Sequence, residues 1–530
     1  MLKIINRITL ISAIFLFTGC DKDFVEVNTD PYAVTSIDPA ILFAGAERSF
    51  NGSGWEVENT IVQQFVNPFN AGATLGPNFN ADIDNFNNAR WEATYTGTAP
   101  ANNPTTGGLK SLVQALALLK GSAGNTNLIS MIRIWKAQAF MGMVDTYADV
   151  PYFDAGKAYT DGIFFPKYDD DAAIYTDIEK EIRESLAALN PSGDYVSADL
   201  FYGAHAVTPI TTASAQVAKW KKLGNSLLLR LGMRYSKLTP SKAQSLVAEA
   251  FAGGVMTSNA DNAFVKYDGT IATNVPNVNL INNNPRFYYA AEPFVNQLKS
   301  TNDPRSGFIM AKFADPSNPL ADPNPDYTIA NQFGVPIGVI SDALVNPPYR
   351  GTRGGGYNYS QINVKCAASQ TAPTFWVTYA QTSLLLAEAA NKGWVPGGDA
   401  AAQVFYENGI AADIDSYTQY PNGTTVSTAA KTAYLTDPAV LYNAVNAIKL
   451  INIQYWIANI TNGTEAWANF RRTGFPALSP NLSNNNLGGG FIRRLSYPDY
   501  ESSNNKANYF AAVQAIGGTD NLTTRVFWDK

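Results

Sequence analysis

Histidine, cysteine and charge are all scarce. His205 is the single histidine in 530 residues. A two-histidine metal site is therefore impossible, and no His-based triad can draw on a second imidazole. Within Tyr-Gly-Ala-His-Ala-Val, His205 fits a loop. Cys20 and Cys366 are the only cysteines. If Cys20 is modified, no intrachain disulfide can form and stability must come from packing. Cys366 is then a small buried hydrophobe. Charged residues make up 15% of the chain, well below the usual share of about a quarter. The formal net charge of -6 comes with no basic stripe that could neutralise phosphates, which argues against a nucleic-acid partner. Neither a G-x-G-x-x-G fingerprint nor a Walker A motif occurs; the run Gly354 to Gly356 lacks a strand–helix context and is a turn. The 44 Asp and Glu could supply a glycosidase pair, but nothing in their placement points to one. No catalytic residue, metal or cofactor is expected.

Residues 1–20 form a targeting segment. Lys3 and Arg7 make a positive start, and Ile8 to Phe17 make an apolar run too short to span a bilayer. The segment ends Leu16, Phe17, Thr18, Gly19, Cys20, which resembles a lipobox with Phe17 in place of the usual aliphatic residue. Cys20 would then carry lipid and become the mature N-terminus. A plain secretory signal with a chance cysteine is the alternative. Several acyl chains would anchor the protein stably, at about 0.8 kcal/mol per buried methylene. An acidic cluster, Asp21, Asp23 and Glu26, follows directly, and residues 21–36 form a tether. Residues 37–530 are expected to make one domain, although length alone would allow more.

Beyond the tether, helical patterning dominates. Asp38-Pro39 starts a helix with an acid and a first-turn proline. Glu56–Val66, Arg90–Tyr95 and Leu109–Lys120 read as helices. Ile132, Trp135, Ala139, Met143 and Thr146 recur at helical spacing, and that helix must stop before Pro151. Asp169–Leu189 buries Ile174, Ile178, Ile182 and Leu186 on one face. Its acidic start, Asp169 to Asp171, offsets the helix macrodipole rather than marking a metal site. Ala213–Tyr235 pairs with Pro240–Gly253, Pro373–Asn391 pairs with Ala400–Asp413, and Asp437–Asn459 leads to a short helix over Glu465–Pro476 with Trp467 and Phe470 inward. Such pairs suggest a tetratricopeptide-like solenoid, although no clean repeat period emerges.

Aromatics reach 12%, with 27 Tyr, 28 Phe and 9 Trp, and asparagine is abundant in the loops. A surface short of charge is covered by Asn, Ser, Thr, Gly and Tyr, which suits an extracellular protein that binds neutral polar ligands. Irregular stretches lie over 67–88, 259–284, 316–359 and 479–490, and loops on a rigid scaffold commonly carry binding. Sugar rings present apolar C–H faces to aromatic rings and hydroxyl edges to amides and guanidinium groups. The candidates for such a site are Trp55 in a glycine-flanked turn, Phe69, Phe79, Asn80 and Phe86 in one loop, and Tyr349, Arg350, Tyr357 and Tyr359 in another. Each aromatic taken singly fits packing as well. Trp91 and Tyr95, at i and i+4, belong to the core.

Several sequence words, in order over the whole chain, resemble the SusD/RagB family. They are the helix ending Asp145 to Tyr152, Lys219–Arg234, Asp303-Pro304-Arg305, Leu384–Ala390, Glu465–Pro476, Arg493–Pro498 and Arg525–Asp529. The resemblance implies a mainly α, SusD-like fold of tetratricopeptide-like helix pairs with long irregular ligand-binding loops. It implies a nutrient-capture lipoprotein of the outer membrane, with a SusC-like TonB-dependent transporter as partner and an oligosaccharide or polysaccharide as ligand. The acidic cluster behind Cys20 resembles the surface-export signal of Bacteroidetes lipoproteins. A RagB-type peptide binder is the runner-up; a glycoside hydrolase and a pure interaction scaffold are further alternatives. Cys20→Ala is expected to release the protein from the membrane fraction, and protease added to intact cells is expected to digest the wild type. A wild-type protein that resists such shaving but is digested after lysis would rule out surface display.

Overall fold

Capping side chains start the long helices close to where the sequence places them. Asp170 accepts the Ala173 N–H at 2.8 Å at the head of the helix Asp171–Ala188, so this acid is a cap. Thr212 does the same for Ala215 before Ala213–Arg234. Thr378 and Gln381 form a reciprocal capping box before Tyr379–Asn391. The helix Thr126–Tyr147 has no cap of its own. Asp194 supplies one from a distance, accepting the Asn127 and Leu128 N–H groups at 2.8 and 3.0 Å.

The computed structural model describes residues 37–49, 57–68, 88–95, 107–270, 273–282, 288–481, 487 and 489–530. The chain divides after Asp38 into an N-terminal unit, of which only residues 37 and 38 are described, and a unit of residues 39–530. The second unit is mainly helical, as expected. Its principal helices are α1 (Pro39–Glu47), α2 (Gly108–Leu118), α3 (Thr126–Tyr147), α4 (Asp171–Ala188), α5 (Ala213–Arg234), α6 (Pro240–Gly253), α7 (Tyr379–Asn391), α8 (Gly398–Ser416), α9 (Ala447–Ala458) and α10 (Gly463–Thr473). Helix α3 packs on α4, α5 on α6, α7 on α8 and α9, and α9 on α10. Short loops join α5 to α6 and α7 to α8, so each pair is a helical hairpin. Among the described residues no helix is long and apolar enough to cross a membrane.

Three boundaries differ from the sequence reading. Over 56–66 only Glu58–Ile61 is helical; Phe65–Val66 then joins a small antiparallel sheet with Tyr289–Ala290, Gln361–Ile362 and Met310–Ala311. Before α7, Thr374–Val377 is a strand paired with Ala263–Val265. Both segments are β-branched and aromatic, and sheet partners from distant parts of the chain claim them. Helix α9 begins only at Ala447, because the Asn443 side chain caps a preceding turn through the Val445 and Asn446 N–H groups. Helix α3 ends at Tyr147, and Ala148 turns the chain with a φ of 65°.

Large polar side chains are built into the core. Arg234, on α5, donates to Asp145 of α3 at 3.1 Å and to both oxygens of Glu465 of α10 at 3.1 and 2.6 Å. Tyr175 and Trp528 also donate to Asp145, and Tyr455 donates to Glu465. Burial alone would raise the Glu465 carboxyl, but Arg234 and Arg230 outweigh it and hold it at about 2. Cys366 is buried, and burial pushes its thiol up to about 12, in keeping with a packing role.

Near the start of α4 the balance is reversed. Asp149, Asp170 and Asp171 bring carboxylate oxygens within 4.8 Å of one another. Burial raises Asp171 to about 7, helped by Asp149 and Asp170 and opposed by the Phe527 N–H and Lys530. Burial likewise raises Asp149 to about 6, opposed by the Asp171 N–H, Arg494 and Lys530. Both folded values exceed the unfolded value of about 3.9. Their stabilising contribution is therefore complete below about pH 4 and is lost as pH rises through 6 and 7. Asp171→Asn is expected to raise the melting temperature relative to wild type more at pH 8 than at pH 5, measured by calorimetry across that range. An equal effect at both values would show that Asp171 does not titrate there.

Candidate functional site

Six separate stretches of chain converge on one cleft. Helix α3 contributes Trp135, Gln138, Ala139 and Gly142. Asn59, Arg90, Asn274, Asn277, Pro373 to Trp376 and Ile460 to Thr464 line the rest of it. The cleft opens to solvent, and its cavity volume is about 70 Å³. Its indole wall is a pair of rings, Trp135 and Trp376, with centroids 5.6 Å apart and planes at 79°. Offset or edge-on pairs of this kind hold both rings rigid.

The amides of the wall are held by backbone. Asn59 Nδ2 donates to the Ile460 carbonyl at 2.8 Å, Asn274 Nδ2 to the Ala372 carbonyl at 3.0 Å, and Asn277 Nδ2 to the Ser369 carbonyl at 2.8 Å. Gln138 accepts from Arg230 Nη1 at 3.3 Å, and Arg230 Nη2 also donates to the Trp376 carbonyl and to Gln381. Among the described lining residues Arg90 alone is charged. Its Nε and Nη2 both donate to Glu58 Oε1, at 3.2 and 2.8 Å, and Thr464 joins the pair. The cleft thus offers aromatic faces and fixed amides and hydroxyls, with its one cation already neutralised. No carboxylate is among the described lining residues, so nothing there resembles an acid–base pair.

None of the residues singled out in the sequence is among the described residues that line the cleft. Cys20, Trp55, Phe69, Phe79, Asn80 and Phe86 fall outside the described residues. The 349–359 loop belongs to a smaller hydrophobic cluster with Val66, Tyr289, Val335 and Leu344. Tyr357 and Tyr359 are buried there, 6% and 3% exposed; the Tyr357 N–H donates to Tyr289 Oη, and the Arg350 N–H donates to Tyr359 Oη. These two rings pack against protein and present no open face for stacking. Tyr349 is half-buried, and exposed Arg350 lies 3.3 Å from the Phe333 ring centroid. His205 is an exposed loop residue, and Trp91 is buried beside Tyr95.

The cleft itself was not visible in the sequence. Trp135 reads as core on its spacing, and it is indeed fully buried while also lining the cleft. The 259–284 stretch, rich in Asn and Pro, carried a weak signal through Asn274 and Asn277.

A family model described as starch-binding and associating with the outer membrane matches residues 31–498. Among solved structures, a chitin-binding protein is 27% identical with a TM-score of 0.74, covering 93% of this chain and all of its own. A SusD homologue from Bacteroides uniformis is 26% identical with a TM-score of 0.68 and the same coverage. A chitin-binding SusD homologue from Flavobacterium johnsoniae, 22% identical, has the same fold with a TM-score of 0.70 over 93% of this chain and 98% of its own. No curated protein matches the sequence. On the family match, which spans most of its length, the chain belongs to the SusD-like family of starch-binding proteins associated with the outer membrane.

Proposed function

We propose that the protein captures a neutral glycan in this cleft and delivers it to a SusC-like TonB-dependent transporter, from a position on the cell surface held by lipid on Cys20. The observation that carries the reading is the lining: two indole rings, backbone-held amides and hydroxyls, and one arginine neutralised by Glu58. Indole rings suit the apolar faces of sugars, and fixed amides replace the water lost from hydroxyls. The protein acts by binding and not by turnover. Residues 69–87 leave and rejoin the described chain between Asn59 and Arg90, which both line the cleft. Phe69, Phe79, Asn80 and Phe86, with Trp55 just upstream of Asn59, are in this reading an extension of the site. Tyr349 and Arg350, the two of their group that are not buried, form a separate glycan contact. Chitin-type oligosaccharides are the first ligands to try, given the chitin-binding relative at 27% identity.

Binding of a neutral oligosaccharide should be nearly independent of salt, because screening acts on charges. Titration calorimetry at low and high salt is expected to give dissociation constants within about twofold of one another. Steep salt dependence, or a clear preference for acidic oligosaccharides, would sink the neutral reading; release of shortened sugars would make the protein an enzyme. For delivery, extraction in mild detergent is expected to co-purify a large TonB-dependent barrel, since stable interfaces bury about 1,200 Å² or more. Recovery of the protein alone, where comparable pairs survive extraction, counts against the partnership.

A further inference from the structure

One ring gathers three cations from different parts of the chain. The Arg350 guanidinium carbon lies 3.3 Å from the Phe333 centroid, Lys299 Nζ 4.0 Å and Lys312 Nζ 5.7 Å. Arg353 adds a fourth: its Nε donates at 2.6 Å to the carbonyl of Phe313, the residue after Lys312. Lys299 is occupied internally, donating to the Ala330 and Gln332 carbonyls. The others are not. The guanidinium of exposed Arg350 makes no hydrogen bond with protein, nor do the Nη groups of Arg353 or the Lys312 ammonium.

Lys312 is the unusual member, because it is only 7% exposed. Every other buried lysine or arginine among the described residues is met, Arg471 by backbone carbonyls and the rest by carboxylates. Lys312 has neither. Burial, then Arg353 and Arg350, hold its ammonium below the usual lysine range, opposed by Asp326. The Asp326 carboxylate is itself engaged by the Thr328 N–H and by Asn331. Lys312 Nζ is not among the enclosed unpartnered atoms, so its stem is buried while its tip is open. Mutual repulsion opposes such a grouping unless an anion offsets it.

We propose that Lys312, Arg350 and Arg353 form a second binding site, for an acidic sugar whose carboxylate or sulfate group they receive. This rests on the reading of Tyr349 and Arg350 as a glycan contact. The Arg350 fork, held against Phe333, has all its N–H donors free, and paired guanidinium donors match two oxygens of such a group. Lys312 and Arg353 add positive charge from the same neighbourhood. The site shares no lining residue with the cleft, whose neutral character is unaffected.

The test titrates methyl β-D-glucuronide, methyl β-D-glucoside and sodium sulfate into the full chain by calorimetry. Single sugars are used so that the cleft's preference among oligosaccharides is measured separately. Wild type is expected to bind the glucuronide about tenfold or more tighter than the glucoside, and to lose affinity for it about threefold or more between about 0.05 and 0.5 M salt. Lys312→Met, which keeps the buried stem, and Arg350→Gln, at an exposed position, are each expected to abolish the preference. Lys312→Met is expected to melt no lower than wild type, because an unpaired charge is removed. A glucuronide that binds no better than the glucoside, or variants that bind it as wild type does, overturn the inference and leave the reading of the cleft standing. Arg350→Gln weakening both sugars alike also overturns it, keeping the glycan contact without its selectivity for acid. Sulfate binding as tightly as the glucuronide overturns it by assigning the cations to a free anion.

Discussion

The fold depends on one buried guanidinium. Among the described residues Arg234 is the one cation that hydrogen-bonds both Asp145 and Glu465, and those two acids sit on different helices. Removing one member of such a buried set typically costs about 3–5 kcal/mol, because the remaining charge is left without a partner in a low dielectric. Tyr175 from α4, Tyr455 from α9 and Trp528 from the C-terminus add donors to the same two acids. Five helices and the C-terminal end of the chain are thereby held to one point. Arg230, one turn earlier on α5, lies 3.5 Å from Glu465 and reaches the other way, to Gln138, the Trp376 carbonyl and Gln381. The cleft wall is fastened to the same core that fixes the helices.

The same solution recurs. Arg472 forms a two-pronged pair with Glu388, with Asn452 and Asn469 alongside. Arg305 joins Asp303 to Asp413, with Tyr434 and Gln454 as further partners. In a chain so poor in charge, a notable share of its arginines is internal: Arg230, Arg234, Arg305 and Arg494 are among the largest fully buried side chains. Buried pairs of this kind set register between elements more surely than they add net stability. Charge is concentrated where it fixes geometry, and the cleft beside Trp135 is left neutral.

Most helices were legible because they carry local signals. Asp170, Thr212 and Thr378 cap where capping chemistry predicts, and Pro240–Gly253 has the same bounds in sequence and structure. The family words were legible too, and the structure gives their physical reason: Asp145, Arg234, Arg305, Glu388, Glu465, Arg472, Arg494 and Asp529 all lie within them and are all buried. The short strands were not legible, since Phe65–Val66 and Thr374–Val377 are defined by partners from more than 100 residues away. Nor was the cleft. Its parts come from residues 59 to 464, and no spacing along the chain relates them. Tyr357 and Tyr359 illustrate the converse: a loop rich in tyrosine and glycine has the composition of a binding surface, yet these two rings close a small core of their own.

The Trp135 indole has a consequence for mechanics. One end of this side chain walls the cleft, and its N–H is fastened to the Ala46 carbonyl near the end of α1. The next residue, Glu47, accepts the Leu200 N–H and so ties the same helix to the loop before α5. Helix α1 is the first helix described in the unit of residues 39–530. A displacement of α1 is thus transmitted directly to a side chain of the cleft wall, so that helix and wall behave as a single rigid strut.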